Sequence, residues 1–460
     1  MRSLLALALV GAIAAHAHAG PPKKLNIIVI TTDDQARWSL GCYGNKEAKT
    51  PHMDRLARDG ARFINASVAT PVCSPSRVSA LTGRYGTQSG ITDWITPQEA
   101  KAGLGLPRDA ITWMSVLQRA GWRTALVGKW HLGMLPQFHP TKNGFDHFMG
   151  FLGGGNSPMN PTLEVNGKEE KLKGSLPDIL TDDAIEFVKK NKDSPFALML
   201  NFRAPHAPYA PTPEVDAKPF KGLDPTIPNF PGLNVKKTKQ LTRDYYASVH
   251  SVDRNLGRLL AMLDELGLRD STIIVFTSDH GYMIGHHGLW HKGNATYLLE
   301  GREKDRRPNM FDHALQVPLI VRWPGVVKPG AEIKQLVSNI DTFASVLGML
   351  KVDRDYKQEG LDYSPLLRGE DVKWRNAVFA QYDPHNGLTG AMRSIRTERW
   401  HLVRQYKKNG QPDELFDLKD DPEELRNLYG EAKHREVREQ LQMRLTTWMR
   451  SVNDPLTRKE

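Results

Sequence analysis

The sequence predicts an α/β protein: a large, mixed but mostly parallel sheet flanked by helices, followed by a smaller C-terminal α+β unit with an antiparallel sheet. Three observations lead there. Short β-branched or apolar runs recur, and each stops at polar residues able to do chemistry. Helical patterns lie between them, and such alternation buries a sheet between two helical layers. After about Val372 the texture changes to short strands separated by turns.

Taken in order, residues 26–32 (NIIVITT) run into Asp33-Asp34, and residues 124–127 into Gly128-Lys129-Trp130-His131. Residues 196–202 lead to Pro205-His206, and residues 271–278 (STIIVFTS) to Asp279-His280-Gly281. Near-continuous apolar runs of this length read as strands buried on both faces. Ligands of such sheets bind beyond the carboxyl ends of the strands. Four strand ends carrying Asp, His or Lys therefore mark a candidate active site. Between them, residues 243–266 place Tyr246, Val249, Leu256, Leu260 and Leu263 on one helical stripe, and Gly267 supplies a stop. Residues 317–323 (VPLIVRW) predict a further strand of the same sheet. Residues 378–382, 392–395 and 400–406 predict short antiparallel strands, and residues 433–452 an amphipathic helix carrying Val437, Leu441, Leu445 and Trp448. Two stretches rich in Gly, Pro and Lys, 153–174 and 209–235, predict long surface loops.

With 460 residues, 40% hydrophobic and 25% charged, the chain can bury a large core, which argues against a disordered or fibrous protein. Its start combines Arg2, an apolar run over residues 4–15 and Ala17-His18-Ala19, the form of a signal peptide cleaved after residue 19. The run is shorter than the ~20 residues a membrane span needs, and no later stretch is long and apolar enough. The expected product is an exported protein, periplasmic or secreted, with a catalytic domain over 24–372 and a smaller domain over 373–460. A net charge of +10 suits an anionic partner or simple solubility. Export argues against nucleic acid as that partner.

The chain has two cysteines, Cys42 and Cys73, which an exported protein can join as a disulfide. The sequence after Cys73 suggests another use. In Cys73-Ser74-Pro75-Ser76-Arg77, Ser74-Pro75 reads as an N-cap followed by proline in the first helical turn. Cys73 then lies at a helix N-terminus, which favours negative charge, and Arg77 adds a fixed cation.

This Cys-x-Pro-x-Arg core, followed by Leu81-Thr82-Gly83-Arg84, closely resembles the signature of the type I sulfatases of the alkaline phosphatase superfamily. Four further segments match in order, and the likeness extends from Asn26-Ile27-Ile28 to Glu414-Leu415-Phe416-Asp417-Leu418. The resemblance implies an alkaline-phosphatase-like sandwich fold. It also implies that a formylglycine-generating maturation enzyme oxidises Cys73 to formylglycine. Asp33 and Asp34 match the family's first metal-binding pair, and Asp279 and His280 the second, with residue 73 completing the metal site. Hard carboxylate oxygens suit Ca2+, with Mg2+ the second choice. His280 stands where the family commonly has asparagine, and imidazole favours softer metals.

By the same resemblance, one hydroxyl of the hydrated aldehyde attacks sulfur and the alcohol leaves. Loss of a proton from the second hydroxyl then expels sulfate, so catalysis is nucleophilic in two steps. His131 would take that proton, and His206 would protonate the departing oxygen. Arg77 and Lys129 would hold the aldehyde hydrate and the sulfate oxygens, and Lys292 matches the family's second active-site lysine. Two alternatives stay open: a phosphodiesterase or phosphonate monoester hydrolase of the same superfamily, and a catalytically silent protein that binds sulfated glycans. Export and positive charge favour a sulfated polysaccharide or oligosaccharide as substrate. Residues 296–307, with Arg302, Arg306 and Arg307, are candidates to meet an anionic sugar, as are Gln381, Asp383, His385 and Arg393. His286, His287 and His291 cluster near Asp279 without an assigned role.

Overall fold

A computed structural model describes residues 24–353, 355–407 and 410–458. The expected signal peptide, residues 1–19, lies outside the described residues. Among them, no helix is long and apolar enough to cross a membrane.

Strands are numbered along the chain. The first eight are β1 (Asn26–Asp33), β2 (Ala61–Ser67), β3 (Arg123–Lys129), β4 (His147–Phe151), β5 (Thr162–Val165), β6 (Lys168–Lys171), β7 (Phe196–Pro205) and β8 (Thr272–Ser278). A small antiparallel sheet follows, from β9 (Met283–Ile284), β10 (Leu289–His291), β11 (Asn294–Tyr297) and β12 (Arg306–Pro308). Then come β13 (Leu319–Arg322) and β14 (Ala331–Ser338). The main sheet has ten strands in the order β14-β2-β13-β8-β1-β7-β3-β4-β5-β6. Its centre, β8-β1-β7-β3-β4, is parallel throughout.

Strand β1 shows why helices cover both faces. Successive side chains of a strand point to opposite sides. Ile27 and Val29 accordingly enter one core cluster, while Ile28 and Ile30 enter the other. A parallel strand buried on both faces is apolar along its middle, as Ile27 to Ile30 are, and its buried polar residues, Asn26, Thr32 and Asp33, fall at its ends.

Several expectations shift in detail. The helix expected over 243–266 begins earlier and spans Val235–Glu265; the side chain of Asn234 caps it by accepting from the Lys237 N–H at 3.0 Å. Its first turns are mostly polar, so hydrophobic periodicity does not mark them. The strand within 317–323 runs antiparallel to both β8 and β2. The stretch 153–174, expected to be a loop, contains the hairpin β5–β6. Its turn is Asn166-Gly167, both at positive φ (51° and 79°), the conformation that Asn-Gly favours between paired strands. Residues 209–235 hold only short helical turns, including Glu214–Ala217.

The last sheet is antiparallel and comprises β15 (Val378–Tyr382), β16 (Ala391–Arg396), β17 (Trp400–Lys407) and β18 (Glu414–Asp417). The helix Arg435–Ser451 packs on it through Leu441, Leu445 and Trp448. The Trp448 ring stacks on Phe379 at 4.8 Å and meets the edge of Tyr85 at 4.9 Å, which ties this unit to the segment after Cys73.

Candidate active site

Register across the main sheet brings the chemistry to one edge. Thr32 of β1 pairs with Ser278 of β8, and Asp33 with Pro205 of β7. The Asp279 N–H donates to the Thr32 carbonyl at 3.0 Å. Asp33-Asp34, His206, Asp279-His280 and Lys129 thus leave adjacent strands at the same end. Asp34, His131 and His291 all have positive φ (69°, 60° and 85°), a region that non-glycine residues seldom enter and that clusters at functional sites.

Cys73 arrives from another element. The helix Cys73–Thr82 starts at Cys73 itself, after the extended Val72, so Ser74 is not its N-cap. The Ser74 hydroxyl instead accepts from the Ile95 N–H at 3.0 Å and fixes a neighbouring segment of the site. Pro75 does lie in the first turn, and the buried Cys73 faces the unpaired N–H groups there.

Around the thiol the charges interlock. Lys292 Nζ donates to Cys73 Sγ at 3.0 Å and to Asp34 Oδ1 at 2.6 Å. Lys129 Nζ, fully buried, donates to Asp33 Oδ2 at 2.6 Å. Arg77 pairs with Asp279 at 2.9 Å and donates to the Lys129 carbonyl at 3.3 Å. Burial pushes the Cys73 thiol up, but Lys129 and Lys292 outweigh it and hold it well below its ordinary range. Burial likewise raises Asp33, and Lys129, His206 and Arg77 bring it well below the usual carboxylate range. Asp279 goes the other way: burial and the nearby Asp33 charge push it up to about 7.

The histidines are held in defined orientations. His131 Nε2 lies 3.0 Å from the Ile95 carbonyl, so it donates there, and Nδ1 has no hydrogen-bond partner among the described residues. Burial and Lys129 lower its pKa. His206 donates from Nδ1 to the Ala207 carbonyl at 2.7 Å, and its Nε2 lies 3.9 Å from Asp34 Oδ2. Burial outweighs Asp34 and Asp33 and lowers its pKa too.

Asp33, Asp34, Cys73 and His280 bring ligand atoms within 4.8 Å of one another. Asp34 Oδ2 is buried with no hydrogen-bond partner among the described residues. His280 donates from Nδ1 to the Gly281 carbonyl at 2.9 Å, which aims Nε2 at the cluster, 3.2 Å from Asp34 Oδ1 and 3.4 Å from Cys73 Sγ. A carbonyl behind a histidine is the usual way to orient it as a ligand. The donor set therefore fits a divalent cation. Asp279 borders this group, with Oδ1 3.2 Å from His280 Nε2 while Oδ2 is engaged by Arg77.

Cys73, His131, His206 and Lys292 line a cavity of about 390 Å³. His291, Asn294, Thr296 and Arg306 line it from the small sheet, and Trp94 and Met134 from the loops. The backbone of Gly154 closes on His131: a Cβ there would lie 2.6 Å from His131 Nε2.

Other expected contacts fall elsewhere. Arg393 is fully buried between Asp383 and Asp454, each at 2.5 Å, so Arg393 and Asp383 form a structural ion cluster rather than a substrate contact. His385 pairs with Glu99 at 2.8 Å. Gln381 is buried and does not line the cavity. His286 and His287 pack with His313 away from it. Cys42 and Cys73 are both free thiols, so they form no disulfide. The sequence reading gave no role to Trp94, Gly154 or Asn294: the first two lie in irregular segments, and Asn294 opens β11 two residues after Lys292.

A family model described as Sulfatase matches residues 25–352, and one described as N-sulphoglucosamine sulphohydrolase, C-terminal, matches residues 302–451. The chain is 28% identical to an N-acetylglucosamine-6-O-sulfatase of Bacteroides thetaiotaomicron, over 94% of this chain and 87% of that protein. It is 29% identical to the steryl-sulfatase of Mus musculus, over 92% of this chain and 81% of that one. A solved structure of a protein in complex with its substrate D-glucosamine-2-N,6-O-disulfate superposes with a TM-score of 0.83 at 27% identity, covering 95% of this chain and 100% of the other.

Proposed function

Since the chain belongs to the sulfatase family and is a sulfuric ester hydrolase, we propose that it removes sulfate from sulfated saccharides with a formylglycine made from Cys73. The observation that carries this reading is the setting of Cys73: a buried thiol at a helix N-terminus, 3.0 Å from Lys292 and 3.4 Å from His280, opening on a cavity. After maturation, the aldehyde and its hydrate would stand where Sγ is. Hydrated formylglycine supplies a hydroxyl nucleophile at position 73, between Lys292 and His280. The conversion requires a formylglycine-generating enzyme. Signal-directed export to the periplasm or medium, with a catalytic domain over 24–372 and a smaller domain over 373–460, belongs to the same proposal.

The side chains divide the remaining work. Lys292, Lys129 and Arg77 place three cations around residue 73, where the anionic sulfate and the ionised hydroxyl need them. His131 donates from Nε2 to Ile95, which leaves Nδ1 as the nitrogen able to take a proton. His206 protonates the leaving alcohol oxygen; the negative charge of a bound sulfate offsets the burial that lowers its pKa. Asp33, Asp34, Asp279 and His280, with residue 73, would hold one divalent cation, Ca2+ before Mg2+, which supplies Lewis-acid polarisation of the sulfate oxygens.

The alcohol is the less constrained half of the substrate, since relatives include a steryl-sulfatase as well as an amino-sugar sulfatase. A cavity wall bearing Asn294, Thr296 and Arg306 favours the saccharide, because hydroxyl-rich rings pair with such groups and a sterol does not.

The test is a substrate panel on enzyme co-expressed with a formylglycine-generating enzyme: N-acetylglucosamine 6-sulfate, an aryl sulfate and an aryl phosphate diester. The expected result is sulfate release from both sulfate esters, poor diester hydrolysis, and loss of all activity in Cys73→Ala. Preferred cleavage of the diester would overturn the sulfatase assignment. Cleavage of the aryl sulfate alone would remove the saccharide.

A further inference from the structure

The cavity wall contributed by β11 and β12 carries a cation that the proposed chemistry does not use. Thr296 and Arg306 are opposite one another across the two strands, and Asn294 is two residues from Thr296. Residues in those relations share a face of the sheet, and all three line the cavity with Cys73. Arg307 alternates to the other face, pairs with Glu414 at 2.5 Å and covers the Phe311 ring. Arg302 pairs with Asp305 at 2.9 Å and covers Tyr297. Arg306 alone of the three lines the cavity, and it has no carboxylate partner among the described residues.

The C-terminal unit shapes the space around it. Gly387 has φ 74°, and a Cβ there would lie 2.4 Å from Arg306 Nη1, so glycine leaves room for the guanidinium. The loop bearing Gly387 is fixed to the opposite rim. The His385 and Asn386 N–H groups donate to Asp93 Oδ2 at 2.9 and 3.0 Å, and Asn386 Nδ2 donates to the Trp94 carbonyl at 2.9 Å. Trp94 itself lines the cavity. Arg306 is therefore an exposed cation lining the cavity, bordered by Gly387 of the C-terminal unit and with no carboxylate partner among the described residues.

We propose that Arg306 binds a second oxyanion of the substrate, a sulfate or a carboxylate carried apart from the sulfate being cleaved, and so selects doubly anionic saccharides. A guanidinium offers two parallel N–H donors that match either group. This inference rests on the sulfatase reading above and adds the substrate's second charge to it. Arg306 is a specificity residue; it takes no part in bond cleavage.

The test compares wild type with Arg306→Gln, Arg306→Lys and Gly387→Ala on an aryl sulfate, a monosulfated sugar, a disulfated sugar and a sulfated disaccharide containing a uronate. Arg306→Gln should raise KM by about 10- to 100-fold on one of the two doubly anionic substrates, with little change in kcat. Aryl sulfate and monosulfated sugar should keep kcat/KM within about twofold, since neither has a second anion to lose. Gly387→Ala, which makes the flexible guanidinium shift, should raise KM on the same substrate by less than Arg306→Gln does, and Arg306→Lys should recover part of the loss. The substrate that suffers identifies the anion as sulfate or carboxylate. Equal losses on all four substrates, or no loss on any, overturn the proposal. Those outcomes are separate from failure of the sulfatase reading, which would show as wild-type enzyme unable to cleave any sulfate ester and would take this inference down with it.

Discussion

Lys129 and Lys292 decide the state of Cys73: burial alone would keep the thiol protonated, and the two ammonium groups reverse that. Lys129 was readable because it ends an apolar run at the sheet's edge, whereas Cys73 and Lys292 were readable only from the motifs around them. Their partners were not readable, since Lys292 comes to Asp34 from 258 positions along the chain. His287 shows the limit from the other side. It sits near Asp279 in sequence, yet stacks flat on Phe311 at 3.7 Å, and its Nε2 has no hydrogen-bond partner among the described residues. Burial, His313 and Arg307 lower its pKa to about 3. Unfolded, the imidazole takes a proton near pH 6.5; folded, it stays neutral to far lower pH. Stability is thus lost as pH falls below 6.5, by ~1.4 kcal/mol per unit until the folded pKa is reached. Between about pH 7.5 and pH 5, wild type should lose about 2 kcal/mol more than His287→Asn in urea unfolding. Parallel losses in the two proteins would contradict that account.

Elements were legible wherever one physical signal dominated. The apolar runs became β1, β3, β7 and β8 because the middle of a strand buried on both faces is apolar, with polar residues gathered toward its ends. The final helix spans Arg435–Ser451, close to the expected 433–452, because Leu441, Leu445 and Trp448 mark its stripe. The hairpin β5–β6 was hidden by polar, exposed strands, although Asn166-Gly167 was a usable turn signal. Strand β16 carries the clearest error of inference. A charged residue in a strand suggested a substrate contact, whereas Arg393 is an internal tie between Asp383 and Asp454. Arg393→Met would leave the fully buried Asp454 carboxylate without its cation. The expected cost is about 3–5 kcal/mol of stability in urea unfolding, with kcat/KM on an aryl sulfate unchanged in the folded fraction. Full stability with a raised KM on aryl sulfate would restore the substrate role.

At the scale of the whole molecule, the site is an outcome of sheet topology. Parallel strands β8, β1, β7 and β3 must all end on one side, so four short motifs scattered over the sequence become one charged cluster. That convergence could be anticipated from strand patterning and the rule for open α/β sheets. The cavity above it could not, because its walls combine the small sheet with the loops around Trp94 and Gly154, and a C-terminal loop braces Trp94 from behind, an arrangement only tertiary packing produces. The cluster has a single claim at its centre, that residue 73 acts as an aldehyde. Peptide mass spectrometry across Cys73, on protein co-expressed with a formylglycine-generating enzyme, tests it directly. The account predicts formylglycine at residue 73 in the active fraction. An unmodified thiol in protein that still hydrolyses sulfate esters would contradict it.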